Sequence, residues 1–306
     1  MNKVKTFTFQ SNYDQLTIAG LCVFPAQPII GVIQFVHGMA EHKERYLDVM
    51  QYFANKGYLC VIHDHRGHGE SILSKSDFGY CYDSDGSALI NDTHQLTMLV
   101  KEVFPFVPFL LFGHSMGSLI VRAYTKRYDK DIDGLIVSGS PSNNKATDAG
   151  KKVVKVLERI HGDHYRSKTV DQMIFGGYSK GFEKTSKFSW LCSDQEVVRA
   201  YDEDPLCGFT FTLNGFENLL SLVSMTYDKK GWARKHLDLP VLFIAGADDP
   251  CIQSKEKFDQ AALCMHEIGY HNLTARLYPG LRHEILNESK KIDVYNDVFT
   301  WIHDNF

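Results

Sequence analysis

A serine hydroxyl is a poor nucleophile near neutral pH. It needs a histidine to take its proton and a carboxylate to fix the histidine's tautomer and stabilise the charged ring. Ser115 stands at the centre of Gly113-His114-Ser115-Met116-Gly117, directly after the apolar run Pro108-Phe109-Leu110-Leu111-Phe112. Behind it Leu119, Ile120, Ala123 and Tyr124 recur at helical spacing. The pattern predicts a sharp turn from a buried strand into a helix, with the hydroxyl lifted out of the sheet. A side chain in place of either glycine would crowd that backbone.

On a parallel sheet this chemistry takes the chain order serine, acid, histidine. The strand-like run Val241-Leu242-Phe243-Ile244-Ala245 leads into Gly246-Ala247-Asp248-Asp249-Pro250, and the next strand leads into Pro279-Gly280-Leu281-Arg282-His283-Glu284. Loops at the carboxyl ends of parallel strands meet on one edge of the sheet. His283 is therefore the candidate base, with Glu284 beside it structural. Side chains of consecutive residues diverge, so one of Asp248 and Asp249 reaches His283. The G-x-x-D spacing favours Asp249 and leaves its neighbour to cap a helix or face water.

Acyl transfer also needs donors for the developing oxyanion. The backbone N–H of Met116 is one, and the loop His37-Gly38-Met39-Ala40-Glu41-His42 offers that of Met39 as the second. The methionine side chains are assigned packing only. A further run, His63-Asp64-His65-Arg66-Gly67-His68, looks superficially like a metallohydrolase motif. Gly67 stands where the required aspartate would be, so it reads as a tight loop after a strand.

The elements that must hold these residues alternate. Strands are expected over 6–10, 16–24 and 29–36, the last apolar enough to be buried on both faces. Helices over 45–55, 87–103 and 116–128 then alternate with strands over 59–63, 109–112 and 134–138. The same alternation resumes with a strand at 240–245, a helix at 254–268, a strand at 273–278 and a closing helix at 290–302, which implies βαβ crossovers and a mostly parallel sheet. It stops between Ser140 and Asp238. There Val153, Val156, Leu157 and Ile160 form an apolar helical face, and a second amphipathic piece runs from Phe216 through Leu219, Leu220 and Val223. The expected organisation is an α/β core of 1–139 and 237–306 with a mainly helical cap at 140–236. The apolar faces are expected to fasten that cap to the core and shape its pocket.

The chain of 306 residues carries a formal net charge of -4, with its Lys and Arg scattered, so no nucleic-acid partner is expected. Seven cysteines, odd in number and free of any C-x-x-C pair, read as reduced packing residues, with no metal and no cofactor. The N-terminal residues lack the apolar core of a signal peptide, and no apolar stretch nears the roughly 20 residues of a membrane span. A cytoplasmic location is the expectation.

Taken together, the loop His37 to His42, Asp64-His65-Arg66-Gly67-His68-Gly69-Glu70-Ser71, the Ser115 pentapeptide, Gly246 to Pro250 and Arg282-His283-Glu284 resemble the monoacylglycerol lipase and lysophospholipase-like branch of the α/β-hydrolase superfamily. This is the branch of serine aminopeptidase S33 type. Trp190 to Asp194, Tyr201 and Asp204 to Phe209 are similar to its bacterial members. The resemblance implies an α/β-hydrolase fold with a cap after the sixth strand, a triad of Ser115, Asp249 and His283, and oxyanion N–H groups at Met39 and Met116. One departure is Ala40, where a glycine is often found, which implies a slightly different loop. The implied activity is hydrolysis of monoacylglycerols or similar single-chain acyl esters, with transient micelle or membrane contact open and oligomeric state unspecified. Lysophospholipase, short-chain esterase or thioesterase activity are the alternatives. More remote are a carbon–carbon bond hydrolase, an aminopeptidase anchored by the acids between Asp194 and Asp204, and a slow-turnover binding protein.

Overall fold

The computed structural model describes residues 1–306. Eight strands form one sheet in the order β1 (Lys3–Gln10), β2 (Thr17–Phe24), β4 (Tyr58–His63), β3 (Gly31–Val36), β5 (Phe109–His114), β6 (Gly134–Ser138), β7 (Val241–Gly246) and β8 (Leu273–Tyr278). The β1–β2 and β2–β4 pairs are antiparallel and the rest are parallel. This is the α/β-hydrolase fold, and its strands of period two explain its two cores. Phe109 and Leu111 pack with residues of α2 (Ser87–Val103), α3 (Met116–Tyr128) and α8 (Lys255–Ile268). Leu110 and Phe112 point the other way, toward α1 (Leu47–Ala54) and α9 (Lys291–Asn305). Each fully buried side chain of this size is worth about 1.5–3 kcal/mol, so both faces of the strand contribute to the core. Strand β8 closes one edge with Thr274, Ala275 and Arg276 exposed, and β1 closes the other with Lys3 and Lys5.

The expected helix over 45–55 begins instead with a 3₁₀ turn at Lys43–Tyr46 before α1. Between β6 and β7 lie four helices, α4 (Thr147–His161), α5 (Lys168–Phe175), α6 (Gln195–Glu203) and α7 (Leu213–Tyr227). Two of them, α5 and α6, were not among the expected elements, although Ser167 and Asp194 cap their first turns as such residues should. Helix α7 lies against α3, and α4 lies against α7. The apolar face expected to fasten α4 to the core is turned outward in part: Val156 and Ile160 are 53% and 66% exposed, Val153 lines the cavity over Ser115, and Leu157 packs on the core beside buried Val154. In α7, Phe216, Leu219, Leu220 and Val223 are all buried as expected.

Candidate active site

Ser115 joins β5 to α3 with φ +53° and ψ −120°, a strained conformation for a residue with a Cβ. Its N–H donates to Ser138 O at 2.9 Å, tying the turn to β6. A Cβ on Gly117 would run into the carbonyl oxygens of Val36 and His37, and one on Gly113 into that of Gly117, so both glycines are needed for close approach to β3 and within the turn. The hydroxyl is directed to the cavity and makes no hydrogen bond to the protein.

His283 and Asp249 are brought together as expected, with Nδ1–H donating to Asp249 Oδ2 at 2.8 Å. Both are buried, whereas Asp248 is exposed. The other Asp249 oxygen, Oδ1, accepts the N–H of Cys251 at 2.8 Å, a local turn that fixes the carboxylate's rotation. Burial works against a charged imidazole, but the Asp249 carboxylate outweighs it and raises the His283 pKa well above its ordinary value. On the far side of the ring, Nε2 has the Cys251 thiol at 3.9 Å as its partner. Trp190 packs over the ring with centroids 5.0 Å apart.

The N–H groups of Met39 and Met116 find no acceptor within the protein, and the Met116 N–H opens helix α3, whose dipole favours negative charge. Both residues line the cavity beside Ser115. Ala40 lies in the left-handed region at φ +53°, which explains why a glycine would suit that position. Its carbonyl accepts the Tyr201 hydroxyl at 2.8 Å and the Gly208 N–H at 3.0 Å. The segment between β6 and β7 is thus strapped to the loop carrying Met39. It is strapped to the His283 loop as well, through the Glu284 N–H to Leu191 O at 2.7 Å and Arg282 Nη1 to Cys192 O at 3.1 Å.

Beneath the site lies an ion cluster that sequence reading missed. Arg45 donates to Glu41 Oε2 at 2.6 Å and to both oxygens of Glu284, at 2.8 and 2.6 Å. For Glu284, burial alone would raise the pKa, but the Arg45 charge prevails and holds it at about 2. Burial pushes that of Glu41 up, because one guanidinium serves two carboxylates. Glu41 also accepts the Gly38 N–H and the Tyr46 hydroxyl, so it fixes the loop before Met39. The four-residue spacing of Glu41 and Arg45 was the available signal.

The loop after β4 is structural, as its glycines suggested. Asp64 holds Lys43, and buried Arg66 pairs with Asp14 and Asp92. Metal-ligating side chains converge in two places. His42 approaches Asp204 and Cys207, but both its ring nitrogens already face carboxylates, Glu44 at 2.6 Å and Asp204 at 2.8 Å. The second group is Asp249, Cys251 and His283 themselves.

A cavity of about 720 Å³ opens over Ser115, within the size range of small-molecule sites. Its roof is apolar where Ile174, Phe175, Leu219, Leu220 and Val223 face it, and Asp171, Gln172, Lys184 and Lys187 give it a polar part. No helix is long and apolar enough to cross a membrane.

Comparison with known proteins agrees with this fold. The family profile described as serine aminopeptidase S33 (Hydrolase_4) matches residues 27–290. The chain is 29% identical over 272 residues to a monoacylglycerol lipase of Mycolicibacterium smegmatis, covering 89% of this chain and 88% of that protein. A thermostable carboxyl esterase from Bacillus coagulans, solved with glycerol bound, superposes with a TM-score of 0.87 at 26% identity over 99% of this chain and 98% of that one. A soluble variant of Saccharomyces cerevisiae monoglyceride lipase, solved with a substrate analogue, shares the fold with a TM-score of 0.74 at 18% identity, covering 100% and 97%.

Proposed function

The chain belongs to the serine aminopeptidase S33 family and is a serine hydrolase of carboxylic esters, and from that premise we propose that it cleaves monoacylglycerols or similar single-chain acyl esters. The observation that carries this reading is one cavity with an apolar roof at Leu219, Leu220 and Val223 and with Ser115 and His283 on its wall. Residues 140–236 are taken as the cap that supplies the roof.

In the proposed mechanism, Ser115 Oγ attacks the ester carbonyl carbon while His283 Nε2 takes its proton. The carbonyl oxygen gains negative charge and is held by the Met39 and Met116 N–H groups. Asp249 keeps the Nδ1 proton in place and stabilises the imidazolium. Collapse of the tetrahedral intermediate breaks the carbon–oxygen bond, and His283 returns its proton to the departing glycerol oxygen. Water then enters, loses a proton to His283 and attacks the acyl-enzyme, and the fatty acid leaves as Ser115 recovers its hydrogen. Transient docking on a micelle or bilayer is part of the reading. The exposed Val156 and Ile160 on α4 stand among Lys151, Lys152 and Arg159, a composition suited to an anionic lipid interface.

The test is steady-state hydrolysis of a long-chain monoacylglycerol beside a short-chain p-nitrophenyl ester, with Ser115→Ala as the blank for each. Preference for the monoacylglycerol, lost in the variant, supports the assignment. Turnover of the short ester alone would reduce it to a small-substrate esterase. A second reading, a lysophospholipase, draws on Lys184 and Lys187 at the cavity, which could meet a phosphate. A lysophospholipid in the same assay separates the two.

A further inference from the structure

Cys251 touches both partners of Ser115's proposed proton relay. Its N–H donates to Asp249 Oδ1 at 2.8 Å, and its Sγ lies 3.9 Å from His283 Nε2 on the cavity wall. With the Nδ1 proton committed to Asp249, Nε2 carries the lone pair that must accept the Ser115 proton. Yet Ser115 is without a hydrogen bond here and the thiol is the group at Nε2. Burial keeps that thiol protonated by raising its pKa, so it is a donor, and a weak one. Tyr178 lines the same cavity wall, and its ring packs against Trp190, the residue above His283. The base is therefore enclosed by the thiol on one side and by aromatic residues of the insertion on the other.

We infer that Cys251 is a positioning residue for the base: its backbone fixes the acid, and its thiol gives Nε2 a weak resting partner that the Ser115 hydroxyl displaces when an ester enters. This rests on the triad proposed above. A weak donor suits the task, since it orients the ring in the empty site without strongly opposing the productive hydrogen bond. A hydroxyl in its place would compete with Ser115, and a methyl would leave the lone pair without a partner.

Histidine-ring NMR titration of the parent, Cys251→Ser and Cys251→Ala tests this without relying on turnover, the His283 signal being assigned by its loss in His283→Gln. At pH values above the His283 midpoint the ring is neutral and a donor at Nε2 moves its 15N resonance upfield, so the upfield shift relative to Cys251→Ala should be present in the parent and larger in Cys251→Ser, with successive steps of about 1 ppm or more. Asp249, His114, Glu284 and Tyr178, the other titratable groups around the ring, are unchanged across the series. On the pH plateau, kcat/KM of Cys251→Ser for a short p-nitrophenyl ester should fall about threefold or more. Coincident Nε2 resonances in the neutral ring, or a reversed order, would overturn the inference and leave Cys251 a packing residue. Both replacements are no larger than the thiol, and if Cys251→Ala fails to fold by its thermal melt, the serine variant against the parent still decides the order. Full ester hydrolysis by Ser115→Ala would instead sink the proposed mechanism, while the ring titration still reads the thiol contact.

Discussion

Ser115 and Ala40 both hold positive φ values at the mouth of the cavity, and the two strains have different uses. At Ser115 the turn presents the hydroxyl, so Ser115→Ala should leave the melt nearly unchanged and reduce kcat by about 10⁴ or more. At Ala40 the backbone holds the strain while the methyl is buried in the core, so Ala40→Gly should relieve roughly 1 kcal/mol of strain and lose about as much burial, leaving the midpoint of thermal unfolding and kcat little changed. Asp249→Asn should cost about 10⁴ in kcat through the wrong histidine tautomer, while Asp248→Asn, at an exposed position, should cost almost nothing. The pH dependence follows from His283. In the proposed mechanism it works as a neutral base, and its pKa is raised, so it holds its proton to higher pH and the acid limb of kcat/KM should have its midpoint above the ordinary imidazole value. Its contribution to stability has the opposite trend: fully present below the ordinary value, and lost as pH rises through the raised one. A midpoint at or below the ordinary value would remove Asp249 from its assigned part.

At the scale of elements, the sequence carried most where a hydrophobic period and a boundary signal coincided. Helices α2 and α3 and strands β6 and β8 begin and end where Ser87, Met116, Gly134 and Leu273 suggested. Ser115, Asp249 and His283 were legible because strand ends on a parallel sheet collect loops that are far apart in the chain. Helices α5 and α6 are only 8 and 9 residues long, too short for a clear helical period, and their capping residues were the sole local signal. The outward turn of α4 was hidden for a different reason: periodicity reveals that a face is apolar but not what it faces. That face makes its own prediction. Val156→Glu with Ile160→Glu should leave hydrolysis of a soluble short ester within about twofold while reducing binding to anionic phosphatidylglycerol vesicles by an order of magnitude, measured by vesicle sedimentation. A comparable loss of short-ester hydrolysis would mean that the substitutions disturb the cavity instead.

Across the whole molecule, the helical segment between β6 and β7, the insertion of the proposed reading, and the sheet are coupled through the loops that bear the candidate catalytic groups. Tyr201 and Gly208 bond Ala40, Leu191 bonds Glu284, and the Tyr201 ring stacks on Arg45 with the guanidinium carbon 4.8 Å from its centroid. Arg45 thus neutralises Glu41 and Glu284 in the core while packing against the insertion. This linkage was invisible in the sequence because Arg45 and Glu284 are 239 residues apart. Removing the guanidinium leaves two buried carboxylates without their cation, a loss of the order of 3–5 kcal/mol. The sign of its pH dependence is fixed by Glu284. Its folded pKa of about 2 lies below the ordinary carboxylate value, so the stabilisation is present above that value and is lost as pH falls toward 2. Arg45→Met should therefore lower the unfolding midpoint strongly at neutral pH, and much less in acid, where both carboxyls are protonated. Trp190 in the insertion and Trp301 in α9 provide separate fluorescence reporters once Trp232 and, in turn, the other tryptophan are replaced by Phe. In the parent background the two should report one transition, as expected for layers joined through the hydrogen bonds to Ala40 and Leu191 and the Tyr201–Arg45 contact. With Arg45→Met the Trp190 signal should move first, and transitions that remain coincident would locate the coupling in the hydrogen bonds to Ala40 and Leu191 rather than in the ion cluster.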